Sequence, residues 1–136
     1  MDRYAKLGQV PNLSAVLQHF PGQKILVVGD VILDRYWWGE ASRLSPEAPV
    51  PVVRKQRCTV RPGGAANTAS NLAALRAAPM LIGLTGNDAE AAELQTALTD
   101  CGVPVDYLIG EAGRPTTTKT RVIASHQQIV QRTKNA

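Results

Sequence analysis

A chain of 136 residues is long enough for one small domain or for part of a larger one. Its 44% apolar content supports a packed core and excludes wholesale disorder. A formal charge of +4 falls short of the Lys/Arg density of a nucleic-acid binder, while it suits a small anionic substrate. No apolar run approaches the roughly 18 residues of a membrane span, and the opening MDRYAKLGQV has no apolar signal-peptide stretch. Cys58 and Cys101 lie in no metal-binding or redox spacing, which favours buried or incidental thiols over a disulfide. The expectation is a soluble cytoplasmic protein without nucleic-acid or membrane partners and without a metal-ligating cluster.

In chain order, Leu13, Val16, Leu17 and Phe20 repeat at helical spacing behind Asn12. They predict a short amphipathic helix closed by Pro21 and Gly22. KILVVGD is a continuous apolar run of strand length, as in a strand buried on both faces. From Arg35 to Arg61 the texture becomes β-rich, with RYWWGE and PVPVVRKQRCTVR as strands around the proline-rich SPEAPVP. Proline cannot donate to a ladder, so these read as edge or lid strands.

A helix is predicted from about Gly64 to Ala77, then the buried strand MLIGLTG. Asp88 caps a second helix with the stripe Ala91, Leu94, Leu98 and Cys101, and Gly102 closes it. VPVDYLI reads as a third strand, and TTTKTRVIA and QQIVQRT as two more, turning at SHQQ. Strands alternating with helices predict an α/β fold, a mostly parallel sheet flanked by helices with a small β-lid over one end. Such sheets bind ligands beyond the carboxyl ends of their strands.

The residues with chemical potential cluster around two places. Asp30 and Asp34 follow the first strand, and Gly63-Gly64 opens a helix carrying Asn67 in its first turn. A phosphate loop of the GxxxxGK type, ending in Ser or Thr, is absent. Two carboxylates after strand one would repel a dinucleotide's pyrophosphate. Carboxylates instead accept hydrogen bonds from vicinal hydroxyls, Asn67 can donate and accept, and glycines admit a ring close to the backbone. The residues therefore fit a polyol site, with a plain tight turn and turn-forming acids as the alternative. Lys119 and Arg121 share one strand face and are candidates for holding a phosphate, against a merely solvated face. Trp37 and Trp38 point to opposite faces, and RKQR at 54–57 reads as exposed surface.

GDVILDRYWWGEASRLSPEAPVPVV, RPGGAANTASNLAAL and LIGLTGND together resemble the N-terminal part of the ribokinase-type (PfkB) carbohydrate kinase family. Within that family the blocks are most similar to the D-glycero-β-D-manno-heptose 7-phosphate kinases of ADP-heptose and lipopolysaccharide precursor synthesis. The resemblance implies a ribokinase-like fold, incomplete here, with lid strands at 35–61 and about 116–132. It also implies ATP-dependent transfer to the anomeric hydroxyl, with Mg²⁺. By position, Asp34 matches the family's sugar-hydroxyl carboxylate, and Gly63, Gly64 and Asn67 its diglycine hinge and sugar contact. A homodimer through the lid is a further implication.

The family's GAGD motif, which carries the catalytic base, does not occur in these residues, so no catalytic residue is assigned. Arg76 stands where the family expects Gly or Ser, and the ending QQIVQRTKNA departs from its pattern. A truncated product or a shifted reading frame would explain that ending. The expectation is a sugar-binding and lid portion inactive by itself. The alternatives are a non-catalytic module that binds sugar phosphate or self-associates, or a fragment of a kinase for another sugar.

Overall fold

The computed structural model describes residues 12–125 and 127–135. The opening ten residues and His126 of the expected SHQQ turn lie outside them. After α1 (Leu13–Leu17), the chain forms β1 (Lys24–Val28), β2 (Val31–Leu44), β3 (Pro51–Gly64), α2 (Ala65–Ala74), β4 (Ala78–Gly86) and α3 (Ala89–Asp100). It closes with β5 (Leu108–Glu111), β6 (Thr118–Ala124) and β7 (Gln127–Lys134).

Two ladders share these strands. β1, β4 and β5 form a parallel sheet in the order β1-β4-β5, the α/β arrangement expected from alternating strands and helices. The second sheet runs β3-β2-β6-β7, with β2 antiparallel to β3 but parallel to β6. Proline-bearing β3 takes the edge, as its missing donors require.

Leu33 of β2, Leu81 of β4 and Leu94 and Leu98 of α3 are fully buried together with Ala66 and Ala69 of α2. The root of the second sheet and the helical layer thus share one core. Among the described residues nothing covers the opposite face of the parallel sheet. Leu26, Val28, Met80, Leu84 and Ile109 are all exposed there, so a strand set expected to be buried on both faces is covered on one. The apolar stripe of α1 is likewise exposed at Leu13, Val16 and Leu17. A five-residue helix is too short to stand on propensity alone, and its stripe finds no core among the described residues.

Helix ends follow local chemistry. The Asp88 carboxylate accepts from Ala91 N–H (3.0 Å), as a cap should, and also from the Thr116 hydroxyl (2.6 Å) and backbone N–H (2.9 Å). Burial opposes its charge, but the Thr116 and Ala91 donors and nearby Lys134 outweigh burial and hold the carboxyl below its usual value. Cys101, expected on the buried stripe, is the exposed C-cap residue of α3, and both cysteines are free and exposed. Pro104 lacks a donor and Leu108 N–H turns back to Val105 O (3.0 Å), so the third parallel strand starts at Leu108, not at Val103.

Both long helices end with the same pair of closing bonds. After α3, Gly102 N–H donates to Thr99 O and Val103 N–H to Leu98 O, with Gly102 at φ +76°. After α2, Arg76 N–H donates to Ala73 O and Ala77 N–H to Leu72 O, with Arg76 at φ +64°. A left-handed residue is what ends the ten-residue α2 just before β4, and here it carries a Cβ. Arg76→Gly is therefore expected to stabilise the chain by about 1 kcal/mol, read as a higher urea midpoint at unchanged slope.

Candidate functional site

Strand alternation creates the site. Leu33 faces inward, so Asp34 faces the other side of the lid sheet. Asp34 is thus not at the end of the first core strand, as the sequence reading had it. It lies within β2, because β1 ends at Val28 and a new strand starts at Val31. Residues directly opposite across paired strands share a face. Asp34 is opposite Arg61 of β3 and Lys119 of β6; Tyr36 is opposite Thr59 and Arg121; Trp38 is opposite Arg57 and Ile123.

Side-chain contacts fill in this grid. Arg121 Nη1 donates to Asp34 Oδ1 at 2.7 Å and to the Tyr36 hydroxyl at 3.3 Å, and its guanidinium lies 5.2 Å from the Tyr36 ring centre. Tyr36 and Trp38 stack with ring centres 6.0 Å apart, Arg57 lies 5.1 Å over Trp38, and Trp38 Nε1 donates to Thr59 Oγ1 at 2.9 Å. Four cations, Arg57, Arg61, Lys119 and Arg121, surround the lone carboxylate Asp34 on this stretch of the face. The surplus of three positive charges favours an anionic ligand, and the ringed aromatics favour one with apolar ring faces.

The diglycine turn joins this face to α2. A Cβ on Gly63 would sit 2.5 Å from Asp34 Oδ2, so the glycine is what lets the carboxylate lie against the backbone. Gly64 adopts φ +59° and ψ −132°, and a Cβ there would collide with Asp30 O. That same carbonyl accepts Ala65 N–H at 2.8 Å, locking the start of α2 to the β1–β2 turn. Asp30 therefore acts here through its backbone, with its side chain exposed.

The structure thus gathers Asp34, Gly63, Lys119 and Arg121 on one face. Asn67 lines a different surface, a groove of about 520 Å³ between the β3 edge, α2 and α3, together with Arg61, Ser70, Glu93 and Thr96. The two tryptophans part as expected: Trp38 joins the site face, while Trp37 lies on the reverse with Lys55 5.3 Å over its ring. Arg54, Lys55 and Arg57 are exposed, as read from the RKQR run. Sequence reading did not single out Arg61. Its signal was its place immediately before the diglycine turn, on an edge strand whose register with Asp34 no local pattern reveals.

On the reverse face Arg35 meets α3, donating to both carboxylate oxygens of Glu93 at 2.9 Å, with Glu90 at 3.8 Å. Burial opposes the Arg35 charge, but Glu93 and Glu90 outweigh burial and raise its pKa further. This clamp fixes the root of β2 against the helical layer. No group of three or more His, Cys, Asp or Glu side chains that could hold a metal ion occurs among the described residues. No helix among them is long and apolar enough to cross a membrane.

Comparison with known proteins agrees with this architecture. A pfkB family carbohydrate kinase model matches residues 22–136. Curated relatives named bifunctional protein HldE, from Hahella chejuensis and Edwardsiella ictaluri, are each 49% identical, over 84% and 87% of this chain. The chain spans only 24% of the length of either relative. Ribokinase from Arabidopsis thaliana, solved with ribose and ATP, matches 83% of this chain at TM-score 0.63 and 25% identity. Cryptococcus neoformans ribokinase in complex with ADP covers 85% at TM-score 0.57 and 21% identity, a likeness of fold. These two matches span 36% and 34% of the respective ribokinases.

Proposed function

The chain belongs to the pfkB family of carbohydrate kinases, and from that premise we propose that it is the sugar-binding and lid portion of an ATP-dependent heptose 7-phosphate kinase. The reaction would phosphorylate the anomeric hydroxyl in the supply of ADP-heptose for lipopolysaccharide. The observation that carries this reading is the Asp34 carboxylate, backed onto Gly63 and set among four cations on an aromatic face.

In this reading Asp34 Oδ2 accepts from sugar hydroxyls while Arg121 holds Oδ1. Arg121, first considered for the phosphate, then serves as the cation that orients Asp34, and Lys119 remains available to the phosphate. Asn67 meets the sugar from the α2 side, and Tyr36 and Trp38 cover it and exclude water, which competes as a phosphoryl acceptor. ATP and Mg²⁺ would supply and activate the transferred phosphoryl group. Among the described residues no group of three or more His, Cys, Asp or Glu side chains could hold a metal ion, and no step through either group is assigned to this chain. The isolated 136 residues are accordingly expected to bind sugar phosphate without turning it over.

Calorimetric titration with heptose 7-phosphate tests the reading. Asp34→Asn is expected to weaken binding at least about tenfold, the effect of one charge-assisted hydrogen bond. No binding by the unaltered chain, or an unchanged affinity in the variant, would overturn it.

The reverse face of the lid supports one further role, self-association. Trp37, Val53, Val122, Ile129 and Val130 line an apolar recess of about 330 Å³, and Trp37, Ile129 and Val130 are exposed. Concentration-dependent sedimentation separates this role from sugar binding, because it uses the opposite side of β2.

A further inference from the structure

We propose that Arg61 is the residue that recognises the phosphate of the substrate and so sets the preference for a phosphorylated sugar. The proposal rests on the reading of the Asp34 face as the sugar site. Each of the other arginines near the site already has an engagement in the structure. Arg121 is held by Asp34 at 2.7 Å, Arg57 covers Trp38, Arg54 pairs with Glu40 at 3.2 Å, and Arg35 pairs with Glu93 on the reverse face. Arg61 makes no ion pair among the described residues, although Asp34 lies directly opposite it in register.

Its position is as telling as its freedom. Arg61 lines a cavity of about 210 Å³ with Tyr36 and Trp38 on the site face. It also lines the larger groove that contains Asn67 and Ser70. Among the cations of this face, it is the one that borders both. A ligand touching Asp34 and the aromatic pair on one side and Asn67 on the other must pass the β3 edge where Arg61 stands. The guanidinium offers a planar fork of donors that matches two phosphate oxygens at once. Lys119 flanks Asp34 from the opposite strand and supplies a second, point-like cation. The phosphate would thus be gripped from β3, with Asp34 taking hydroxyls between the two cations.

The test compares heptose 7-phosphate with the same heptose lacking the phosphate, by calorimetry on the full 136-residue chain and its Arg61→Gln and Arg61→Lys variants. Arg61→Gln is expected to lose about ten- to a hundredfold in affinity for the phosphorylated sugar while its affinity for the unphosphorylated one stays within about twofold. Arg61→Lys is expected to recover part of the loss, as charge without the fork would. A variant that keeps the full preference for the phosphorylated sugar overturns the assignment of Arg61 and leaves the sugar site standing. An equal loss for both sugars also overturns it, since that is the mark of a structural or hydroxyl-binding role. If the unaltered chain binds neither sugar, the reading of the Asp34 face fails, and the role of Arg61 falls with it. Arg61 is exposed on an edge strand, so a thermal melt of each variant should match the parent and exclude unfolding as the cause.

Discussion

Gly64→Ala is expected to cost about 3 kcal/mol or more and to lower the melting temperature by roughly 10 °C or more. Two effects add at this position. The backbone conformation, φ +59° and ψ −132°, is one that a residue with a Cβ adopts only under strain. The added methyl would also run into the carbonyl of Asp30, a backbone atom that cannot swing aside as a side chain could. Moving that carbonyl would break its bond from Ala65 N–H, the link that starts α2. Gly102 is the internal control. It has φ +76° but open space around a would-be Cβ, so Gly102→Ala should cost only about 1 kcal/mol of backbone strain. Urea unfolding of both variants, followed by circular dichroism, checks the difference. Equal costs at the two sites would mean that the diglycine turn is not wedged against the β1–β2 turn.

The contrast between these glycines shows what can be read from a one-dimensional pattern. Gly102 and Asp88 were legible because caps obey local rules, a left-handed stop and an oxygen facing the first amides. The opposite facing of Trp37 and Trp38, and the shared face of Lys119 and Arg121, follow from the two-residue period of any strand. The diglycine turn was legible as a close approach, but its contact with Asp30 O was not. The ion pair between Asp34 and Arg121 joins residues 87 positions apart through the parallel register of β2 and β6. Nothing local encodes a register, so the contact of Arg121 with Asp34 is not legible from the sequence pattern. Arg61 escaped notice for the same reason. The length of β2 was hidden by Gly29 and Asp30, which resemble the end of one strand more than a two-residue turn into another fourteen residues long. Arg76 is the converse case. Its oddity was visible in the sequence through the resemblance, and the physical meaning came only with its positive φ.

Leu33→Ala is expected to be the most damaging truncation on the site's own strand, at about 3 kcal/mol within the usual range of about 2–5 for a buried leucine. Leu33 has 0% exposure and packs in the cluster with Leu94 and Leu98, at the point where the lid sheet enters the core. Its backbone N–H is held by Thr117 O at 2.9 Å, so the strand cannot slide to fill the void. Because Leu33 and Asp34 are neighbours on opposite faces, any tilt of β2 toward the cavity displaces the carboxylate from Gly63 and Arg121. Sugar affinity should therefore fall along with stability, even though Leu33 touches no ligand. Val28→Ala provides the comparison, since Val28 is 67% exposed on the bare face of the parallel sheet and should cost no more than about 0.5 kcal/mol. Chemical unfolding of the two variants at several protein concentrations decides the matter. A large cost at Val28 that grows with concentration would show that the bare apolar face is buried in solution against another copy of the chain. A small, concentration-independent cost would place the stability of this chain in the core shared by β2, β4, α2 and α3, the same core that aims Asp34 at its site.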